Sequence, residues 1–359
     1  MALPTRVQQF IVNDTFQFRP GFLEQPLYGY TNLKGGPHRP NVSEILFEWF
    51  DSVNFLKNRK RLIPFVSFVA HILTFAFAFV FFSSLLTPKY VVFLLLFVLF
   101  QGTFYNTFWF HRYCSHRAFT FRSLFFAKFF LWTNPFFFRE ESYAIAHYIH
   151  HQQPDMAGDP YGPHLGWLGS YLAIESIQKI NTSISEEQYG YLIKRVSHIG
   201  FKAVNYKSFQ RSGSIEHPGY FILRSFFAQL FYTCFFWFIG GFSAVVTWYA
   251  SVAVTFFLVR DFNWRGHGGF GSIFNKSKIS LPKNQAFYGY LAAEWHKNHH
   301  KYPMSANNGF FSNQLDLACQ FIKFLRNIGI ISNFIDSNHL SMRASLVRQK
   351  NFVASYVSK

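Results

Sequence analysis

The feature that most limits what this chain can fold into is a set of long apolar runs without charge. Pro64 to Leu86 and Tyr90 to Phe110 contain no Asp, Glu, Lys or Arg, and only Thr87-Pro88-Lys89 separates the bulk of them. At about 1.5 Å of rise per helical residue, each run reaches across the ~30 Å hydrocarbon layer of a bilayer. Phe221 to Ile239, with Arg224 near its start and able to snorkel, and Phe242 to Val259 form a second pair joined at Gly240-Gly241. Leu124 to Phe138 differs, because Lys128 and Asn134-Pro135 interrupt it, and it reads as an interfacial or re-entrant segment. The expected fold is all-α and integral to a membrane. Four transmembrane helices, at about 64–86, 90–110, 221–239 and 242–259, form two hairpins under a cytoplasmic helical cap.

Composition agrees with that reading. Half of the 359 residues are hydrophobic, 51 are Phe and only 14% are charged, too few to coat a soluble surface of this size. The net charge of +17 suits anionic lipid headgroups, acidic proteins or phosphate-bearing substrates. Nucleic acid is not an expected partner, since no zinc-finger, RNP-type or basic-helix pattern accompanies the charge. Cys114, Cys234 and Cys319 lie too far apart to suggest a disulfide framework or a cysteine zinc site. The mixed, polar first sixty or so residues lack a signal-peptide pattern, so membrane insertion is expected from internal segments. With four spans, both termini and residues 111–220 share one face, which carries nearly every Lys and Arg, and that face is expected to be cytoplasmic. The domain expectation is an N-terminal region 1–63, a principal domain 64–335 and a tail 336–359.

Nine of the fifteen histidines fall in four groups. They are His111 and His116 in HRYCSH, His147, His150 and His151 in HYIHH, the single His267 with Asn263 four residues earlier, and His296, His299 and His300 in HKNHH. On a helix, positions i, i+3 and i+4 share a face, so each HxxHH can direct three imidazoles to one point. At this histidine frequency one HxxHH arises by chance in roughly 0.03 of chains of this length, so two together are a strong signal for metal ligation. The expected topology places all four groups at the same membrane face. A spanning helix over 124–138 would separate the first group from the second, which favours the re-entrant reading. Nine imidazoles exceed what one metal accepts, and two metals are the economical inference. Imidazoles beside a hydrocarbon phase, with no obvious bridging carboxylate, suit redox iron used with O2 more than hydrolytic zinc.

HRYCSH, HYIHH and HKNHH, in this order and at these positions relative to paired spans, resemble the three histidine boxes of membrane fatty acid desaturases. The pattern is most similar to acyl-CoA Δ9 (stearoyl-CoA type) desaturases. His116-Arg117 with Arg122, Gly158-Asp159-Pro160, Gly166-Trp167-Leu168 and Asn263-Trp264-Arg265-Gly266-His267 extend the similarity, from about residue 64 to about 335. Residues 181–219 have no counterpart in that pattern, and Trp264-Arg265-Gly266 is bulkier than the family's small residues at that place. The resemblance implies that the nine histidines bind two Fe2+ ions, with Asn263 in contact through a water. It further implies O2-dependent formation of a cis double bond in a saturated acyl chain, carried by CoA or by a lipid.

A saturated methylene has no acidic proton and no electrophilic carbon, so it needs a hydrogen-atom abstractor rather than acid–base or nucleophilic groups. The protein's part is to hold the chain bent in a dry, apolar tunnel. Leu95 and Leu99, three to four turns before His111, are candidates for its closed end. His217-Pro218-Gly219-Tyr220 is similar to the HPGG of cytochrome b5, but about forty residues cannot hold that haem domain, and a surface role is expected for His164 and His339. With no flavin, ferredoxin or complete haem motif, electrons are expected from an external donor such as cytochrome b5 or ferredoxin. Lys57, Arg59, Lys60 and Arg61 would anchor to lipid headgroups or meet an acidic partner. The alternatives are a di-iron membrane hydroxylase or alkane monooxygenase, which generally carry HxxxH rather than HxxxxH first boxes, and a metal transporter. Transporters place their ligands at mid-membrane rather than at one face.

Overall fold

The computed structural model describes residues 20–172, 178–269, 295–311 and 313–336, so residues 1–19, most of the tail and His339 lie outside the described residues. Helix α1 (Val42–Val53) opens with a reciprocal cap, in which the Asn41 side chain accepts from Glu44 N and the Glu44 carboxylate accepts from Asn41 N. A 3₁₀ turn over Arg59–Arg61 leads into α2 (Leu62–Ser84), where Pro64 falls in the first turn, before a backbone donor is needed. Three helical stretches are long and apolar enough to cross a membrane: Arg59–Ser84, Pro88–Ser115 and Pro218–Gly266. Their outer faces expose Phe75, Phe79, Leu96, Phe226 and Phe238, a surface suited to lipid rather than water.

The second stretch changes character along its length. Helix α3 (Pro88–Phe100) is α-helical, with Pro88 at its start, and continues as a π-helix over Gln101–Ser115. The expected end at Phe110 is therefore too early, and His111 lies inside the helix rather than beyond it. Such i→i+5 runs are rare, and this one is held by packing: Phe108, Trp109 and Phe110 are fully buried, and Phe108 meets Phe119, Phe130 and Phe321.

After β1 (Phe119–Phe121), α4 (Leu124–Trp132) has nine residues, about 13 Å of rise, which cannot cross a bilayer alone. It stops ahead of Asn134-Pro135, where Asn134 Oδ1 accepts from Phe136 N in an Asx turn. Helices α5 (Glu140–Gln152), α6 (Gly166–Leu172), α7 (Glu186–Val196) and α8 (Tyr206–Ser212) follow. The segment 181–219, which had no counterpart in the sequence pattern, covers the end of the π-helix. Tyr113 Oη donates to His198 O at 2.8 Å, and an Arg117 guanidinium NH donates to Lys194 O at 2.9 Å.

Helix α9 (Pro218–Gly266) has 49 residues and is interrupted at Gly240 and Gly241, whose backbones are non-helical. Gly241 has φ +62°, a conformation that glycine adopts without a Cβ clash. Residues on either side of the break meet: Tyr232 and Phe236 stack on Trp248 at 4.5 and 4.6 Å, and the Thr233 and Tyr249 hydroxyls are 2.8 Å apart. His217-Pro218 has a local explanation as the helix start, with His217 as N-cap and Pro218 in the first turn.

The expectation that Arg224 snorkels is overturned. Its side chain is 1% exposed and lies between two carboxylates, Glu140 Oε2 at 2.5 Å and Glu216 Oε1 at 2.8 Å. Leaving water for hydrocarbon costs a guanidinium more than turning inward to anionic partners, which is why it points into the protein. Helices α10 (His296–Lys301) and α11 (Leu317–Asn327) precede β2 (Ile331–Phe334), which pairs antiparallel with β1 through Phe119 opposite Phe334.

Candidate metal centre

The first histidine group owes its convergence to the π-helix. On an α-helix, residues five apart lie about 140° apart around the axis and cannot share a focus. In the i→i+5 helix, which His116 caps by donating its backbone N–H to His111 O at 3.1 Å, they come back to one side, and the two rings meet edge to face with centres 4.8 Å apart. The second group lies on α5, whose α-helical period puts His147 and His151 four apart, with Nε2 atoms 3.0 Å from one another. The third box, on α10, brings His299 Nε2 to 3.0 Å from His111 Nε2 and 2.7 Å from His151 Nε2, while His147 Nε2 lies 2.9 Å from His116 Nε2. Five imidazoles (His111, His116, His147, His151 and His299) thus crowd their nitrogens around one focus.

A second focus forms from His150, His267 and His300, whose ligand atoms lie within 4.8 Å of one another. His296 joins it, with its Nε2 2.8 Å from His267 Nε2 and its ring 4.5 Å from that of His300. The rings of His151 and His300 stack at 4.4 Å and link the two foci. All nine histidines expected from the sequence are therefore brought together. Within Trp264-Arg265-Gly266, Gly266 lies against the His296 ring, where a Cβ would be 2.7 Å away, and the Arg265 guanidinium pairs with Asp261 at 2.6 Å. Asn263 lines a cavity of about 50 Å³ together with His111, His147 and His296.

Electrostatics prepare these rings as ligands. Burial pushes the titration of His147, His151, His296, His299 and His300 well below the usual histidine range, and neighbouring imidazoles push it further. Burial, with Arg112 adding, lowers His116 to about 3, and burial also lowers His267. Neutral imidazoles offer lone pairs, and a cation takes only the deprotonated ring.

The contacts also test whether a metal fits. A neutral imidazole nitrogen carries either one proton or one lone pair, yet His147, His151 and His299 Nε2 each face two other ring nitrogens. Hydrogen bonding cannot satisfy all of these contacts, whereas one cation at the focus can. Nε2 of His150 and of His300 is buried without a hydrogen-bond partner, as a ligand atom would be.

Around the rings, Asp159 takes His150 Nδ1 at 2.9 Å, Asp155 Oδ1 lies 2.9 Å from His267 Nδ1, and the Tyr161 hydroxyl lies 2.6 Å from His147 Nδ1. Asp159 was noted in the sequence only as part of Gly158-Asp159-Pro160, and Asp155 and Tyr161 were missed; their signal is position, a few residues beyond HYIHH. Burial raises the Asp159 carboxyl, but His150 and the hydrogen bonds outweigh it, and the net titration is lowered. Arg112 ties the first box to the chain after the third, donating to Asp316 at 2.7 Å and to Ala306 O.

The candidates for a tunnel end divide. Leu95 is 50% exposed on the outer side of α3 and cannot wall an interior tunnel, while Leu99 is half-buried. The buried positions nearby are Leu94 and Val98. Deeper than the histidines, a cavity of about 20 Å³ is bounded by Phe136, Phe138, Thr255 and Phe256, and it shares Asn106, Tyr143, Val259 and Arg260 with the larger cavity at the rings. His164 lies elsewhere, on a cavity of about 90 Å³ under the N-terminal segment and α1.

Buried neutral imidazoles gathered at the ends of long apolar helices define a metal-binding protein of the membrane. The family model for fatty acid desaturases matches residues 88–309, which include all nine histidines, and the chain belongs to that family. No curated protein matches it.

Proposed function

We propose that the protein is an O2-dependent fatty acyl desaturase that introduces a cis double bond, Δ9 by resemblance, into a saturated chain carried by CoA or by a lipid. The observation that carries this reading is the pair of imidazole foci beside a Phe-walled cavity. In this reading His111, His116, His147, His151 and His299 hold one iron, and His150, His267, His296 and His300 hold the other, with Asn263 in contact through a water. Iron bound there supplies the O2-dependent removal of hydrogen from unactivated C–H bonds, chemistry for which side chains alone have no means. The chain's residues do the rest: Phe136, Phe138 and Phe256 exclude water and bend the acyl chain, and the histidines fix the metals relative to it. The break at Gly240-Gly241 supports four spans in two hairpins, with a cytoplasmic cap over the centre, in the endoplasmic reticulum or a bacterial inner membrane. Electrons come from an external donor such as cytochrome b5 or ferredoxin, received at the basic face.

The test is iron content with product analysis by gas chromatography and double-bond location. Two irons per chain and new monounsaturated acyl groups in an expressing host are expected, and both are lost in His299→Ala. Iron far below two, or an unchanged acyl profile, would sink the proposal. Hydroxylated product would reassign the chain to the hydroxylases, and metal flux in vesicles to the transporters.

A further inference from the structure

The loop that follows α5 carries three side chains aimed at the backs of three histidines. Asp159, 2% exposed, places its two oxygens 2.9 and 3.0 Å from His150 Nδ1, Asp155 places one oxygen 2.9 Å from His267 Nδ1, and Tyr161 reaches His147 Nδ1. The two carboxylates serve the focus of His150, His267, His296 and His300, whereas the phenol serves the other focus. We propose that Asp155 and Asp159 are positioning residues that set the affinity of one of the two metal positions, the one held by His150 and His267. This inference rests on the metal reading above.

The chemistry follows from the ring. With a carboxylate at Nδ1, the proton of the neutral imidazole sits on Nδ1, the lone pair lies on Nε2, and the negative charge makes that lone pair a better donor. His150 fits this description, since its Nε2 is buried and has no hydrogen-bond partner. The loop is also built to present the two acids. Asp159 accepts the backbone N–H of Asp155 at 2.8 Å and of Tyr161 at 3.1 Å, so one carboxylate folds the loop and orients a ligand together. Asp155 has φ +65°, a left-handed conformation that Asp and Asn tolerate better than other side chains. A phenol carries no charge at neutral pH, so Tyr161 orients His147 without strengthening it in the same way.

The experiment uses the full-length protein in detergent, loaded with 57Fe, and reads iron per chain and Mössbauer spectra during competition with a ferrous chelator. The wild type is expected to show two ferrous sub-spectra. Asp155→Asn, which keeps the left-handed backbone, and Asp159→Asn, which keeps an acceptor for the loop, are expected to lose one sub-spectrum at 10–100-fold lower chelator while retaining the other. Tyr161→Phe is expected to retain the sub-spectrum that the Asp variants lose. Asp155→Asn holding both irons to the wild-type chelator midpoint, or losing both together while its thermal midpoint is unchanged, overturns the inference. If Asp159→Asn fails to fold, Asp155→Asn alone decides. Wild-type protein that binds no iron overturns the metal reading instead, so the two failures are distinguishable.

Discussion

Replacing Arg224 by Met is expected to cost more stability than the loss of any exposed ion pair, because the residue neutralises two acids out of reach of water. The guanidinium lies 2.5 Å from Glu140 and 2.8 Å from Glu216, and all three side chains are at most 1% exposed. Glu140 keeps the amide of Asn134 at 2.8 Å, but Glu216 loses the guanidinium that both of its oxygens face. Breaking a buried pair from one side costs about 3–5 kcal/mol, since a desolvated charge is left behind. That is a shift of about 100- to several-thousand-fold in the folding equilibrium and on the order of 10 °C in thermal midpoint. Lys57→Met is the comparison: Lys57 pairs with Asp51 at 2.9 Å but is 69% exposed, and it should cost at most about 1 kcal/mol. Arg224→Met/Glu216→Gln should recover part of the loss, because the second change removes a stranded charge. The assay is thermal unfolding in one detergent at fixed pH. A single variant no worse than Lys57→Met, or a double variant at least as unstable as the sum of its parts, would refute the reasoning.

Two further outcomes follow from the site. In metal-free protein, the buried histidines titrate below their unfolded value of about 6.5, to about 3 for His116, so the unfolded state binds more protons throughout that window. Stability should be level above about pH 7 and fall as pH drops below about 6.5, by up to ~1.4 kcal/mol per pH unit for each such ring, and a thermal midpoint that rises on acidification contradicts this. Phe256→Ala should enlarge the cavity bounded by Phe136 and Phe138 and shift products toward longer acyl chains, whereas Leu95→Ala, on the outer surface, should leave the profile unchanged. Gas chromatography of host lipids reads both.

How much of this was legible in the sequence depended on which period the backbone kept. Uncharged runs revealed the long helices, because an α-helix in lipid needs only length and apolar side chains. HYIHH and HKNHH revealed a shared face, because i, i+3 and i+4 lie together on an α-helix, but not one point per box. His150 parts from His147 and His151, and His299 from His296 and His300, so each box serves both foci. The buried partnership of Arg224 with Glu140 was hidden, since the two residues are 84 positions apart and nothing local pairs them. Leu95 was misplaced for a related reason: in a helix apolar all round, the sequence does not distinguish the lipid face from the interior.

The widening of the second helix was the least legible feature, and it bears most directly on the site. HRYCSH has the wrong spacing for an α-helical face, and only the i→i+5 helix from Gln101 to Ser115 brings His111 and His116 together. Gln101 stands where the α-helix gives way to that wider form. Its side-chain amide donates to Ser251 at 2.8 Å and accepts from Thr255 at 3.0 Å, binding the junction to α9. Gln101→Leu removes both bonds from a fully buried position and should cost about 1–3 kcal/mol. If this anchor holds the register, the loss reaches His111 and His116, ten and fifteen residues on, and iron in the five-imidazole position should leave at lower chelator concentration than in the wild type. A variant with a lowered thermal midpoint but unchanged iron retention would show that the aromatic packing around Phe108 and Trp109 keeps the π-helix in register without the anchor.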